Sequence, residues 1–280
     1  MAQFKRVTII GLGLMGGSLG MAIRRKRMAR AIVGFSRKRS TLRIAKRRGA
    51  IDAGTTNLAD AVRGADLVVL ASPVETIVPM ARRILPLLPA DSVLMDLSST
   101  KGAIVRSLER LTPYHVSFIG AHPLAGSEQR GIDAADARLY DGSLCILTKT
   151  VRTDRHALRA VSQFWRRLGC RVSVMDPTRH DRLLAAVSHL PHLLAFCLTE
   201  ATDGQALAIA PRSFLDATRV AKSDPELWNG IFLSNRPAIS AAIAQFERRW
   251  RHVRARIARG DRVALYRFLA SAKGKRDALD

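Results

Sequence analysis

The chain has 280 residues, 48% of them hydrophobic, and a formal net charge of +23. That length can bury a large core and exceeds the usual single domain, so two domains are expected; a mean hydropathy near zero fits a soluble globular protein. The arginines are scattered through nearly every predicted helix (Arg24, Arg82, Arg166, Arg248). Without one basic stripe, or an RNA-binding aromatic motif, they argue against specific nucleic-acid binding and for attraction of small anions.

Two further classes drop out. Cys145, Cys170 and Cys197 are odd in number, widely spaced and lack a CxxC pair, so reduced, mostly buried thiols are expected, with neither a disulfide framework nor a metal site. Val7 to Ile23 is apolar enough to suggest a leader, but it is full of glycines and runs into Arg24-Arg25-Lys26-Arg27 instead of a cleavage site. It falls just short of a membrane span and nothing else approaches one, so a cytoplasmic protein with no membrane partner is expected.

Taken in order, the chain opens on a short β-branched strand, Val7 to Ile10, followed at once by Gly11-Leu12-Gly13-Leu14-Met15-Gly16. In a GxGxxG turn the first glycine permits the reversal, the second lets backbone approach a pyrophosphate, and the third lets helix and strand pack closely. The pyrophosphate rests on the free N–H groups at the helix start. A second strand, Ala31 to Phe35, should end beside the adenosine ribose. There the chain has Ser36-Arg37-Lys38-Arg39-Ser40-Thr41, with no carboxylate for a 2′-hydroxyl. Guanidinium and hydroxyl groups suit a 2′-phosphate, with Ser36, Arg37, Lys38 and Thr41 as its expected contacts, so NADP is preferred to NAD.

Apolar runs alternating with helices continue at 66–71, 92–96, 116–120, 144–147 and 170–174, describing a mostly parallel sheet covered on both faces. Ligands of such sheets bind beyond the strands' carboxyl ends. Three polar loops should converge there: Ser72-Pro73, Ser99-Thr100-Lys101-Gly102, and the segment beginning His122-Pro123. After Asp176-Pro177 the pattern becomes purely helical, with stretches at 178–202, 207–221, 226–232, 237–259 and 263–272. The expected fold is therefore α/β: a doubly wound dinucleotide-binding domain at 1–176 and an all-α domain at 177–280. The helices are apolar enough to call for a homodimer. Within the first of them, Pro191 should bend the axis and present His189 and His192 on either side of the kink. A metal site is not expected, because the close histidine–glutamate pairing of the HExxH type is missing.

These segments, together with His122-Pro123-Leu124-Ala125-Gly126-Ser127-Glu128, Ser188-His189-Leu190-Pro191-His192 and Thr218-Arg219-Val220-Ala221-Lys222-Ser223-Asp224-Pro225, closely resemble the prephenate/arogenate dehydrogenase family of tyrosine biosynthesis, over essentially the whole chain. The resemblance implies hydride transfer from C4 of prephenate to a nicotinamide, loss of the hydroxyl proton, and departure of carbon dioxide as the ring becomes aromatic. It implies that His122 takes the proton while Ser99 holds that imidazole in line with the substrate. Arg219 pairs with a substrate carboxylate, and His192, with His189, contacts the far end of the substrate. Glu128 and Asp216 border the pocket, and Trp228 lies near its opening, toward the partner copy. Prephenate is the expected substrate. The alternatives are arogenate, dual use of both, another hydroxy-acid dehydrogenase, and a non-catalytic dinucleotide or polyanion binder. Nearby arginines are expected to depress the His122 pKa.

Overall fold

Strands whose residues are buried on both faces need a layer of helices on each side, and that is how the first two-thirds of the chain folds. In the computed structural model, residues 3–126 and 129–279 are described. The order is β1 (Phe4–Ile10), α1 (Leu14–Arg25), β2 (Ala29–Phe35), α2 (Arg39–Arg47), β3 (Ala53–Thr55), α3 (Leu58–Val62), β4 (Leu67–Leu70), α4 (Val74–Ile84), β5 (Ser92–Asp96), α5 (Gly102–Leu111), β6 (Val116–Leu124), β7 (Leu144–Thr148), α6 (Arg155–Leu168) and β8 (Arg171–Met175). Side chains alternate across the sheet: Val7, Ile9, Leu67, Val69 and Met95 pack with α1, α2 and α6, while Ile10, Val68, Leu70 and Leu94 pack with α3, α4 and α5. The strand order β3-β2-β1-β4-β5-β6-β7-β8 reverses direction between β1 and β4, the point where such sheets open a ligand crevice.

Three features depart from expectation. A three-residue strand, β3, extends the sheet beside β2 at an edge too short to leave a hydrophobic signature. The sheet also turns antiparallel at β6–β7, so β7 and β8 run opposite to the rest. Finally, β6 continues through His122 and Pro123, which sequence reading gave to a loop. The pairing of β5 with β6 stops at Asp96–Gly120, and beyond it β6 pairs with β7 alone. On that one-sided segment a residue without an N–H is tolerated.

The helical part comprises α7 (Pro177–Leu184), a π-helical turn (Ala185–His189), α8 (Leu190–Glu200), α9 (Gly204–Ala208), α10 (Arg212–Thr218), a 3₁₀ turn (Arg219–Lys222), α11 (Pro225–Ser234), α12 (Arg236–Ala258) and α13 (Arg262–Asp277). The single helix expected at 207–221 is broken because Pro211 stands at the N-cap of α10. The expectation of no membrane-length helix also needs correcting. The continuous run Pro177–Glu200 passes on length and composition, with a mean hydropathy of 1.4. Its buried stripe is polar at His180, Asp181 and His189, and Val187 and Leu198 are exposed. Of the three thiols, Cys197 is exposed and the other two are buried.

Candidate active site

The turn after β1 is built for close approach. Gly11 has φ +98°, and a Cβ there would stand 2.6 Å from the Ala71 carbonyl oxygen; one on Gly16 would stand 1.9 Å from that of Gly11. Both glycines are therefore required by packing. Gly13 differs: a Cβ there would meet nothing within 4 Å, so the middle glycine faces open space at the start of α1. No side chain caps that helix, and its first N–H groups are left for an anion. This cradle fits the pyrophosphate of a dinucleotide. Ser72 accepts a 2.7 Å hydrogen bond from Thr76 at the end of β4, and Pro73 starts α4 beside the same crevice.

At the end of β2, the Ser36 hydroxyl accepts from the Lys38 N–H at 3.2 Å, and Arg37 and Lys38 are exposed. A concavity of about 620 Å³ next to them is lined by Arg39, Leu42, Arg43, Gly54, Thr55 and Thr56. Arg43, Thr55 at the end of β3 and Thr56 after it carry no signal in the sequence. The threonines reach the pocket because β3 pairs with β2, which periodicity does not reveal, and Arg43 because it lies one turn along α2 from Arg39.

His122 is only 8% exposed. Its Nδ1 lies 2.8 Å from Nε2 of His180, whose Nδ1 lies 2.9 Å from Oδ1 of Asp181. Asp181 also accepts from the backbone N–H groups of Lys101 and Gly102, at 2.8 and 2.7 Å, and so caps α5 from another helix. Burial alone raises the Asp181 pKa, but the bonds from His180 and the two amides outweigh it and hold the carboxyl below its usual range. An ionised carboxylate only accepts, so His180 carries its proton on Nδ1 and offers Nε2 as an acceptor. His122 then donates from Nδ1, which leaves its lone pair on Nε2. The relay fixes one tautomer and presents a base.

Burial, followed by the neighbouring His180, Lys101 and His189, pushes the His122 pKa well below the ordinary histidine value. The direction expected from the sequence holds, but the cause is corrected: no arginine contributes, and desolvation dominates. Lys101 is itself fully buried in an ion pair with Asp96 at the end of β5. Ser99, expected to hold the imidazole, is half-buried in the β5–α5 loop, and His122 Nδ1 donates to His180.

The kink at Pro191 is a π-helical turn ending at His189, with Pro191 in the first turn of α8. His189 is 1% exposed; its Nδ1 lies 3.1 Å from Nδ2 of Asn235, and its Nε2 is buried without a hydrogen-bond partner among the described residues. Burial lowers its pKa to about 4. His192 donates from Nδ1 to the Ser188 carbonyl at 2.9 Å and stacks on Trp228 with ring centroids 3.7 Å apart. Trp228 is 7% exposed and packs within its own chain. Burial and the charge of Arg219 both depress His192. The Trp228 ring also lies 6.1 Å from that of His189, so His189 and His192 pack against one indole. Asp216 is exposed one turn before Arg219 and pairs with Arg212 at 3.1 Å. Glu128 lies outside the described residues. No group of three or more histidine, cysteine or acidic side chains among the described residues is arranged to hold a metal ion.

The comparisons agree along the whole chain. The nucleotide-binding domain model of prephenate dehydrogenase matches residues 19–174, and its dimerization domain model matches residues 176–271. The chain belongs to the prephenate dehydrogenase family. It is 33% identical to a cyclohexadienyl dehydrogenase of Zymomonas mobilis over all of this chain and 97% of that one. It is 29% identical to a prephenate dehydrogenase of Bacillus subtilis over 98% of this chain and 76% of that one. Among solved structures, prephenate dehydrogenase from Aquifex aeolicus in complex with hydroxyphenyl propionate and NAD+ superposes with a TM-score of 0.92 at 35% identity, covering 99% of this chain and 98% of that one. Arogenate dehydrogenase from Synechocystis superposes with a TM-score of 0.86 at 29% identity, over 98% and 100%. Membership makes the chain an NAD(P)-dependent dehydrogenase.

Proposed function

We propose that this chain oxidatively decarboxylates prephenate to 4-hydroxyphenylpyruvate, dividing after Asp176 into a dinucleotide-binding half and a helical half that pairs with a second copy. The observation that carries the reading is the Asp181–His180–His122 relay, which leaves an imidazole lone pair on β6 just past the point where β5 stops pairing. A bound nicotinamide supplies the hydride acceptor, held through the turn at Gly11, Gly13 and Gly16. His122 takes the hydroxyl proton on Nε2, and its Nδ1–H, braced by His180 and Asp181, stabilises the imidazolium that forms. His192 and Arg219 receive the substrate's carboxylate end. Val187, Leu198, Leu215, Trp250, Ile257 and Tyr266 are exposed apolar side chains suited to the partner helices.

Dual use of arogenate is the second reading, favoured by the full-length likeness to a cyclohexadienyl dehydrogenase. Assaying purified protein with prephenate and with arogenate, each with NAD⁺ and NADP⁺, tests both; no reduced cofactor in any combination refutes the dehydrogenase assignment. Arg219→Ala is expected to raise KM by roughly 10- to 100-fold, far more than it lowers kcat, because a carboxylate clamp binds substrate and transition state alike. The opposite split would overturn that role.

NADP is the preferred cofactor in this reading, supported by the carboxylate-free segment 36–41 and the Arg39–Arg43 concavity beside it. Replacing Arg37 and Arg39 by alanine is expected to cut kcat/KM for NADP⁺ by roughly tenfold or more and to change that for NAD⁺ only a few-fold. Equal losses with the two cofactors would contradict a 2′-phosphate site.

A further inference from the structure

We infer that Asn235 is a positioning residue that locks His189 as a hydrogen-bond donor toward the substrate. The inference rests on the dehydrogenase reading for the identity of that substrate, but its geometric part stands without it. Asn235 lies at the junction of α11 and α12 and is 3% exposed. Its Nδ2 donates to the backbone carbonyl of Asp181 at 2.9 Å, and the same nitrogen lies 3.1 Å from His189 Nδ1. A carbonyl oxygen only accepts, so this end of the amide is the NH₂ group. Both of its hydrogens are then assigned, one to Asp181 and one to His189.

The consequence for His189 follows from hydrogen-bond chemistry. Receiving a proton donor at Nδ1, a neutral imidazole must carry its own proton on Nε2. That Nε2 is buried and has no protein partner among the described residues. The His189 ring lies 6.1 Å from that of Trp228, on which His192 stacks, while Asn235 ties it to the Asp181 backbone, so it sits between the proton relay and His192. A buried N–H with no partner, in the midst of the site, fits an acceptor oxygen brought by the substrate, such as a carboxylate or carbonyl oxygen. Its pKa of about 4 keeps it neutral near pH 7. His122 and His189 therefore carry opposite tautomers: the first offers a lone pair on Nε2, the second a proton. One short segment of backbone, at Asp181, joins the two devices, because its side chain orients His180 while its carbonyl orients Asn235.

Nitrogen NMR of the histidine rings in the full-length protein, with His189 assigned by its loss in His189→Gln, tests the lock directly. Near pH 7 the expected result is a bare Nδ1 and a protonated Nε2. Asn235→Asp places an acceptor opposite Nδ1 and is expected to move the proton there, leaving Nε2 bare. With prephenate, that variant should raise KM roughly tenfold or more while kcat changes only a few-fold. A wild-type His189 protonated on Nδ1 overturns the proposal, as does a reversed tautomer that leaves KM unchanged. If Asn235→Asp does not fold, the wild-type spectrum and the KM of His189→Leu, which keeps no donor, decide it, a KM unchanged by His189→Leu counting against it. Failure of the dehydrogenase reading is separately visible, as wild-type protein that reduces no cofactor while showing the predicted tautomer.

Discussion

Replacing His122 by asparagine is expected to lower kcat by roughly two to four orders of magnitude, with KM within a few-fold of wild type. Asparagine can still accept a hydrogen bond where the imidazole stood, so substrate binding survives, but it cannot carry a proton away. The wild-type pH profile is expected to share the same origin. Because burial, His180, Lys101 and His189 all hold the His122 imidazolium down, the neutral base persists to lower pH than in a free histidine. The acidic limb of kcat/KM should therefore lie below the ordinary histidine pKa of about 6.5. A limb above that value would show that a different group, or a solvated histidine, takes the proton. A drop in kcat of less than tenfold for His122→Asn would remove the base from this position.

Much of this arrangement was legible in the sequence, and the reasons are particular. The run from Val7 to Gly16 announces its turn because tight reversal, phosphate approach and helix packing each demand glycine at a set position. The strands at 66–71 and 92–96 declare themselves because a sheet covered on both sides needs uninterrupted apolar residues. His189 and His192 stood out by their place around Pro191, and His122 and Arg219 through the resemblance; in the structure His189 and His192 pack against the one Trp228 ring.

What escaped is what depends on long-range placement. The antiparallel turn at β7 and the one-sided extension of β6 are decided by where β5 stops pairing, which no local pattern reports. His180 and Asp181 did leave a trace. Pro177, His180, Asp181, Leu184 and Ala185 are the buried positions of their helix, spaced by three and four residues, so two polar side chains fall on the core stripe. A histidine–aspartate pair on such a stripe must be satisfied by partners, and that signal was available. Asn235 left none, since an asparagine between two helices reads as a cap, and its real partners are 46 and 54 residues away.

The relay also makes Asp181 the most consequential residue that does not touch the reacting atoms. Asp181→Asn keeps the shape but replaces one acceptor oxygen with a donor. If the amide oxygen stays toward Lys101 and His180, its NH₂ meets the Gly102 N–H, two buried donors face each other, and folding stability falls by about 1–3 kcal/mol. If the amide turns over, its NH₂ meets the Lys101 N–H, at a similar cost in stability, and also points at His180 Nδ1, which must now accept. His180 then donates from Nε2, His122 Nδ1 accepts, and the proton of His122 moves to Nε2, where the base was. In that arrangement kcat is expected to fall on the order of 100-fold or more with little change in KM, because the imidazole presents a proton in place of a lone pair. Both arrangements lower Tm, because each sets the NH₂ against a backbone N–H, and steady-state kinetics distinguishes them, because only the second also lowers kcat. An Asp181→Asn protein with wild-type Tm and wild-type kcat would show that His122 does not depend on this carboxylate, and the proton-acceptor assignment would lose its structural basis.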